Sequence, residues 1–165
     1  MTKVKTLFLL RHAKSSWADR SIEDFDRPLN DRGLTAARDV GQFLTTVSTP
    51  PQLIISSPSL RTRQTIEIVL SASGLHSELE FDDRIYEASI TELLKVVTTV
   101  RDEIAVLMLV GHNPGMEDLL GHLIGEKREM STATLAKIIF NKDGWIDVEA
   151  GEGKLEWLVR AKDLK

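Results

Sequence analysis

Two histidines and two arginines stand where this chain could handle phosphate. The apolar run Leu7-Phe8-Leu9-Leu10 stops at Arg11-His12. Leu53-Ile54-Ile55 leads through Ser56-Ser57-Pro58-Ser59 to Arg61, and the run ending at Val110 is followed by Gly111-His112. A guanidinium offers a planar fork of donors to an anion, which lysine cannot reproduce. An imidazole with an ordinary pKa of about 6.5 is largely neutral at pH 7 and so can act as a nucleophile. The residues therefore point to His12 as a nucleophile for phosphorus with Arg11 as a clamp. Ser57, Arg61 and His112 join the set as polar residues suited to phosphate.

Far apart in sequence, these residues need a scaffold that brings them together. In an open α/β sheet the carboxyl ends of parallel strands share one edge, and ligands bind there. Helix N-termini at that edge add backbone donors for an anion. The pattern predicts strands over Val4–Leu10, Leu53–Ile55, Leu79–Phe81 and Ala105–Val110. The continuous Leu7-Phe8-Leu9-Leu10 run of the first suits a strand covered on both faces. Helices are expected over Thr35–Val47, 60–73 and Thr91–Arg101, with a fourth after Gly111 in which Asn113 is the N-cap and Pro114 the first helical residue. Three further strands are expected at Thr134–Phe140, Trp145–Glu149 and Lys154–Arg160, separated by Asn141-Lys142-Asp143-Gly144 and Gly151-Glu152-Gly153 turns. The expected fold is a three-layer α/β/α sandwich, with a mostly parallel central sheet and antiparallel C-terminal edge strands, in one domain over residues 1–165.

Residues 14–33 make a long polar connection, of the kind that is often functional or else a surface loop. Within it Leu29–Gly33 reads as a turn before the first helix. Glu23, Asp24 and Asp26 read as a solvated acidic surface, and Trp17 as a packing residue of the loop. Arg63 reads as a surface or ion-pair residue, and His76 and His122 as structural or exposed.

Composition removes several alternatives. The 165 residues carry 21 basic and 25 acidic side chains, a net charge of −4. That argues against broad nucleic-acid binding, which shows a basic excess, but a few convergent arginines can still attract an anionic substrate. There is no cysteine, so thiolate catalysis, disulfides and cysteine zinc sites are excluded. His112 and His122 are ten residues apart, not the helical spacing of a metal pair. No metal and no cofactor are expected. The N-terminal apolar run is too short for a membrane span and lacks a small-residue cleavage site. The expected location is the cytoplasm, and the expected state a monomer with neither nucleic acid nor membrane as partner.

Four stretches in order carry a resemblance. Arg11-His12-Ala13 is similar to the Arg-His-Gly signature of the histidine phosphatase superfamily, the phosphoglycerate mutase-like fold. Ser57-Pro58-Ser59-Leu60-Arg61-Thr62-Arg63-Gln64-Thr65 resembles its second motif, with the motif's arginine at Arg61. Val110-Gly111-His112 resembles its third. Pro28-Leu29 with Gly33-Leu34-Thr35 resembles the approach to the family's first long helix. The short length and the Arg-His-Ala-Lys-Ser opening most resemble the SixA-like phosphohistidine phosphatases.

The resemblance implies a covalent phosphohistidine at His12, oxygens clamped by Arg11 and Arg61, and a donor to a third oxygen at His112. It makes Glu87 either the proton donor to the leaving group or a surface carboxylate. Lys14-Ser15-Ser16 lacks the glycines of a P-loop, and Lys14 and Ser15 are candidates to border the phosphate. Two departures stand out: Ala13 replaces the signature glycine, and Ala18 occupies a place where many members, including the mutases, carry a phosphate-binding asparagine. The second weakens a mutase or sugar bisphosphatase reading. The lack of a long covering insertion fits a phosphohistidine on a protein as substrate. A small phosphomonoester phosphatase and a non-catalytic phosphate-binding module are the alternatives.

Overall fold

In the computed structural model, which describes residues 3–164, the chain builds one six-stranded sheet with helices on both faces. The strands are β1 (Lys5–Arg11), β2 (Leu53–Ser56), β3 (Glu78–Phe81), β4 (Val106–Gly111), β5 (Thr134–Phe140) and β6 (Lys154–Arg160). The helices are α1 (Asp31–Leu44), α2 (Leu60–Ser73), α3 (Ile90–Thr98) and α4 (Gly115–Ile124). Sheet order is β3-β2-β4-β1-β5-β6. Strands β1 to β4 run parallel, and β5 and β6 are added antiparallel. This is the expected three-layer α/β architecture with an antiparallel edge.

Strand β1 is paired on both sides and covered on both faces. Leu7, Phe8, Leu9 and Leu10 are all completely buried. Leu7 and Leu9 join the core under α3 and α4, while Phe8 and Leu10 join the core under α1 and α2. That alternation is the period of two in a strand. It explains why the run is apolar throughout rather than at every second position. Fully burying each such side chain is worth about 1.5–3 kcal/mol.

Local signals set the helix ends. Asn30 caps α1, its side chain accepting from the Gly33 N–H at 2.9 Å, so α1 starts at Asp31 rather than Thr35. The expected turn at Leu29–Gly33 is thus the cap and first turn of the helix. Gly33 is required in that turn, because a Cβ there would lie 2.1 Å from the Lys14 carbonyl oxygen. Ser89 and Glu92 form a reciprocal capping box on α3, which satisfies two otherwise orphaned donors. Gly74 and Gly125 end α2 and α4 in the left-handed region.

Two expectations are corrected. Trp145–Glu149 is not a strand; Trp145–Asp147 is a 3-10 turn. Trp145 and Val148 are buried while Ile146 is 70% exposed. Burial three residues apart is the spacing of a helical turn, not of a strand. The Trp145 indole is fixed by donating to the Ile104 carbonyl at 2.7 Å. In the fourth helix, Pro114 is the cap and Gly115 the first residue. The Asn113 side chain still accepts from a backbone N–H, that of Glu117, at 3.3 Å. No described helix is long and apolar enough to cross a membrane.

Candidate active site

Register brings the two histidines together. Strands β1 and β4 are adjacent and parallel, with Arg11 opposite Gly111. The next residue of each chain is therefore a neighbour of the other: His12 and His112, with ring centroids 5.2 Å apart. Strand β2 lies on the far side of β4, with Ser56 opposite Val110. Its following residue, Ser57, comes beside His112, and Arg61 follows on the first turn of α2. Strand order thus makes one cluster from positions 11, 12, 57, 61 and 112.

The protonation pattern of His12 follows from its partners. Its Nδ1 lies 2.7 Å from the Ala13 carbonyl oxygen. A carbonyl can only accept, so Nδ1 carries the proton and Nε2 keeps the lone pair in the neutral ring. Burial, aided by the charges of Arg61, Arg11 and Arg27, pulls the pKa of His12 down to about 4. Burial and the neighbouring His12 and Arg61 pull His112 down to about 3. Both rings are therefore neutral at pH 7. The Nε2 of His112 lies 2.8 Å from the Ser57 hydroxyl.

The arginines are held by main-chain and acidic partners. Arg11 donates through Nη1 to the Met130 carbonyl at 3.0 Å. Asn113 donates to that same carbonyl at 2.9 Å, and Glu117 accepts from both Asn113 and the Met130 N–H. Arg61 donates through Nη1 to the Asp24 carbonyl at 2.7 Å and through Nη2 to its carboxylate at 3.1 Å. Among the described residues, the buried side-chain nitrogens and oxygens without a partner are Arg11 Nε, Arg61 Nε and His112 Nδ1. Such atoms are costly to bury unsatisfied, and here they fall on three of the five clustered residues.

Asp24 is the residue that sequence reasoning placed wrongly. It is not part of a freely solvated acidic surface. Its carboxylate accepts from Arg61, from the Tyr86 hydroxyl at 2.6 Å and from Arg27 Nε at 3.3 Å. The Tyr86 hydrogen bond and the charge of Arg61 hold this carboxyl below the ordinary range. Burial and the facing carboxylate push Tyr86 up to about 12. Tyr86 also meets His112 and Phe25 edge-on. Asp24 lines both of two clefts, one of about 480 Å³ with Trp17, Ile22 and Arg27, the other of about 490 Å³ with Arg61, Glu87 and His112. The loop thus reaches the site that its polar composition marked only as a connection.

The remaining predicted residues divide. Glu87 is exposed and lies on the cleft of Arg61 and His112, on a backbone with φ of 55°. Lys14 and Ser15 are engaged through their main chains with the segment at 28–30: the Lys14 carbonyl accepts from Asn30 N–H at 3.0 Å, and Ser15 bridges Leu29. Trp17 is not packed into the loop but 71% exposed, with the Arg27 guanidinium 3.5 Å over its ring. Arg63 stacks on Phe81, its guanidinium 4.0 Å from the ring centre. Arg27, Tyr86 and Asp24 were missed. Nothing in their spacing couples them to residues 61 and 112; only Tyr86, beside Glu87, lay next to a residue already singled out. Among the described residues there is no cluster of three or more His, Asp or Glu arranged for a metal.

Comparison with known proteins places the chain in a family. The description of the histidine phosphatase superfamily (branch 1) matches residues 7–109. An uncharacterised chloroplastic protein of Arabidopsis thaliana is 32% identical over 168 aligned positions, covering 94% of this chain and 77% of that protein. Among solved structures, a candidate phosphohistidine phosphatase SixA from Agrobacterium tumefaciens is 30% identical with a TM-score of 0.82, covering 94% of this chain and 97% of its own. The protein histidine phosphatase SixA complexed with tungstate shares the fold at a TM-score of 0.83 and 22% identity, over 97% of this chain and 99% of that one.

Proposed function

Because the chain belongs to the histidine phosphatase superfamily (branch 1), we propose that it is a phosphatase working through a covalent phosphohistidine on His12, with phosphohistidine on a protein as its substrate. The observation that carries this reading is the set of orphaned buried nitrogens on Arg11, Arg61 and His112 beside a His12 ring whose Nε2 holds a free lone pair. Several anchored donors around one nucleophile suit a group with several equivalent oxygens, which is what a phosphoryl group presents.

In the first step the His12 Nε2 lone pair forms a bond to phosphorus, and the bond from phosphorus to the leaving nitrogen or oxygen breaks in line. Negative charge on the equatorial oxygens is met by Arg11, Arg61 and His112. The leaving group takes a proton, for which Glu87, lining the cleft of Arg61 and His112, is the proposed donor. Water then attacks the phosphohistidine, releases inorganic phosphate and returns the neutral ring. Splitting one displacement into two is the general advantage of covalent catalysis. Lys14 and Ser15 contribute through the main-chain turn that follows the nucleophile. One domain acting as a monomer is sufficient, since every proposed group comes from one chain.

Support for a protein substrate comes from the SixA relatives and from Ala18 standing in place of an asparagine. The test is phosphate release from a phosphohistidine-bearing protein set against release from a panel of small phosphomonoesters. Turnover of the protein at the higher kcat/KM is expected; turnover of the panel alone overturns the substrate assignment. Radiolabelled phosphate should be trapped on the native chain and not on His12→Ala.

A further inference from the structure

We infer that Ser57 is a positioning residue that sets the tautomer of His112, so that the imidazole offers a donor at Nδ1. The inference rests on the phosphatase reading above and says how one of its donors is made. A neutral histidine has one N–H, and the nitrogen that carries it is decided by what the other nitrogen meets. His112 meets Ser57 at Nε2, 2.8 Å away, while Nδ1 has no partner in the protein.

Both partners have a hydrogen-bonding capacity that can be followed proton by proton. Ser57 is completely buried. Its oxygen already accepts from the Ser59 N–H at 3.3 Å. Its own proton has one described acceptor within reach, the Nε2 of His112. If Nε2 carried the proton instead, the Ser57 oxygen would accept twice and its hydroxyl proton would point at nothing in a buried site. That arrangement leaves a donor unsatisfied at a cost of about 1–3 kcal/mol. With the Ser57 hydroxyl donating to the Nε2 lone pair, every hydroxyl is satisfied and His112 becomes an Nδ1–H donor.

The neighbouring hydroxyls do not offer an alternative. Thr62 Oγ1 lies 2.8 Å from the Ser57 carbonyl and 2.9 Å from that of Ser59, so its proton goes to a carbonyl. Thr62 then accepts from the Ser59 hydroxyl at 2.7 Å. Ser59 is left without a proton for His112, and its 3.5 Å distance to Nε2 is too long for a good bond. Ser57 is therefore the donor. It comes from the end of β2, and the Ser57 N–H donates to the Val110 carbonyl at 3.0 Å. The sheet itself holds this hydroxyl beside the residue after β4.

The consequence is a division between the two rings. His12 has its proton on Nδ1, pinned by a carbonyl, and a free lone pair at Nε2. His112 has its proton on Nδ1 as well, but pinned from the opposite nitrogen and pointing to no protein acceptor. One ring is set as nucleophile and the other as donor by two different partners. Without the Ser57 hydroxyl, His112 could adopt either tautomer, and in one of them Nδ1 would present a lone pair to a phosphoryl oxygen.

The experiment is nitrogen-15 NMR of the imidazoles in the full chain, free and with tungstate or inorganic phosphate, together with kinetics of variants. In the native chain His112 should show a pyrrole-type Nδ1 and a pyridine-type Nε2. Ser57→Ala should mix the tautomers and lower kcat by about tenfold or more, in the manner of a weakened oxyanion donor, with a smaller change in KM. Ser57→Thr, which keeps the hydroxyl, should restore the native tautomer. His112→Asn places an amide near the Nδ1 position and His112→Gln near Nε2, so Asn should keep more activity than Gln. A native His112 protonated at Nε2, or a tautomer unmoved by Ser57→Ala, overturns the inference. The native-chain spectrum decides it even if a variant fails to fold. Failure of the phosphatase reading would look different: no label trapped on His12 and no imidazole shift with tungstate or phosphate.

Discussion

Both terminal nitrogens of Arg61 are engaged by Asp24, one by its main-chain carbonyl and one by its carboxylate. The fork that would grip a phosphoryl group is thus already holding an anion of the chain's own. Incoming phosphate must compete with that carboxylate for the same donors, so removing its charge should favour phosphate. Asp24→Asn is expected to lower the Kd for inorganic phosphate by about tenfold, the scale of one charge-assisted hydrogen bond. Titration calorimetry at fixed ionic strength checks this. An unchanged or weaker affinity would show that Asp24 supports the site instead of competing for it.

Acid should loosen the fold at the site first. The folded-state values of His12 and His112, about 4 and about 3, lie below the unfolded value of about 6.5. Between these limits the unfolded chain binds more protons than the folded one, so stability falls as pH falls. The contribution is fully present above about pH 6.5 and is lost as pH descends through the folded values. The urea midpoint should therefore drop between pH 7 and pH 5, and less so in His12→Ala. A midpoint equal at both pH values in the native chain contradicts the burial of two neutral rings.

The proton-donor role proposed for Glu87 predicts different losses with two kinds of leaving group. An alkoxide needs a proton more than a departing imidazole nitrogen does. Glu87→Gln should lower kcat for an alkyl phosphate by about 10²-fold or more, within the range for a general acid, and affect phosphohistidine turnover much less. Equal losses on both substrates would remove Glu87 from proton delivery.

Gly33 ties the turn after His12 to a helix. A methyl group there would press on the Lys14 carbonyl, two residues after His12. Gly33→Ala should cost about 1–3 kcal/mol, the usual scale of overpacking, and should lower kcat by displacing the turn. Thermal unfolding and steady-state kinetics measured together test the link. Lower stability with unaltered kcat would confine the effect to the helix.

The sequence carried the scaffold and the core of the site because both depend on local pattern. Three apolar runs ending in polar residues mark three strand ends, and parallel topology makes those ends neighbours. The start of α1 was misplaced because Asn30 and Gly33 look like a turn until the cap bond joins them. Trp145 looked like a strand residue because the Ile146-Asp147-Val148-Glu149 that follows alternates apolar and polar; only burial shows the three-residue spacing from Trp145 to Val148. Asp24 was out of reach altogether. Its partner Arg61 stands on another element, and a run of acids in a polar loop carries no sign of which one turns inward.

The segment from Ser16 to Pro28 begins and ends at the same place. The Ser16 N–H donates to the Pro28 carbonyl at 2.8 Å, just inside the Ser15–Leu29 bridge. The stretch carrying Trp17, Asp24 and Arg27 is therefore a closed cassette with adjoining ends. Strand β1 and its histidine lie outside it. Such a unit can be exchanged for a loop of another length or chemistry without moving His12, while its Asp24 sets what Arg61 holds, which gives this architecture a way to change what it recognises from one segment.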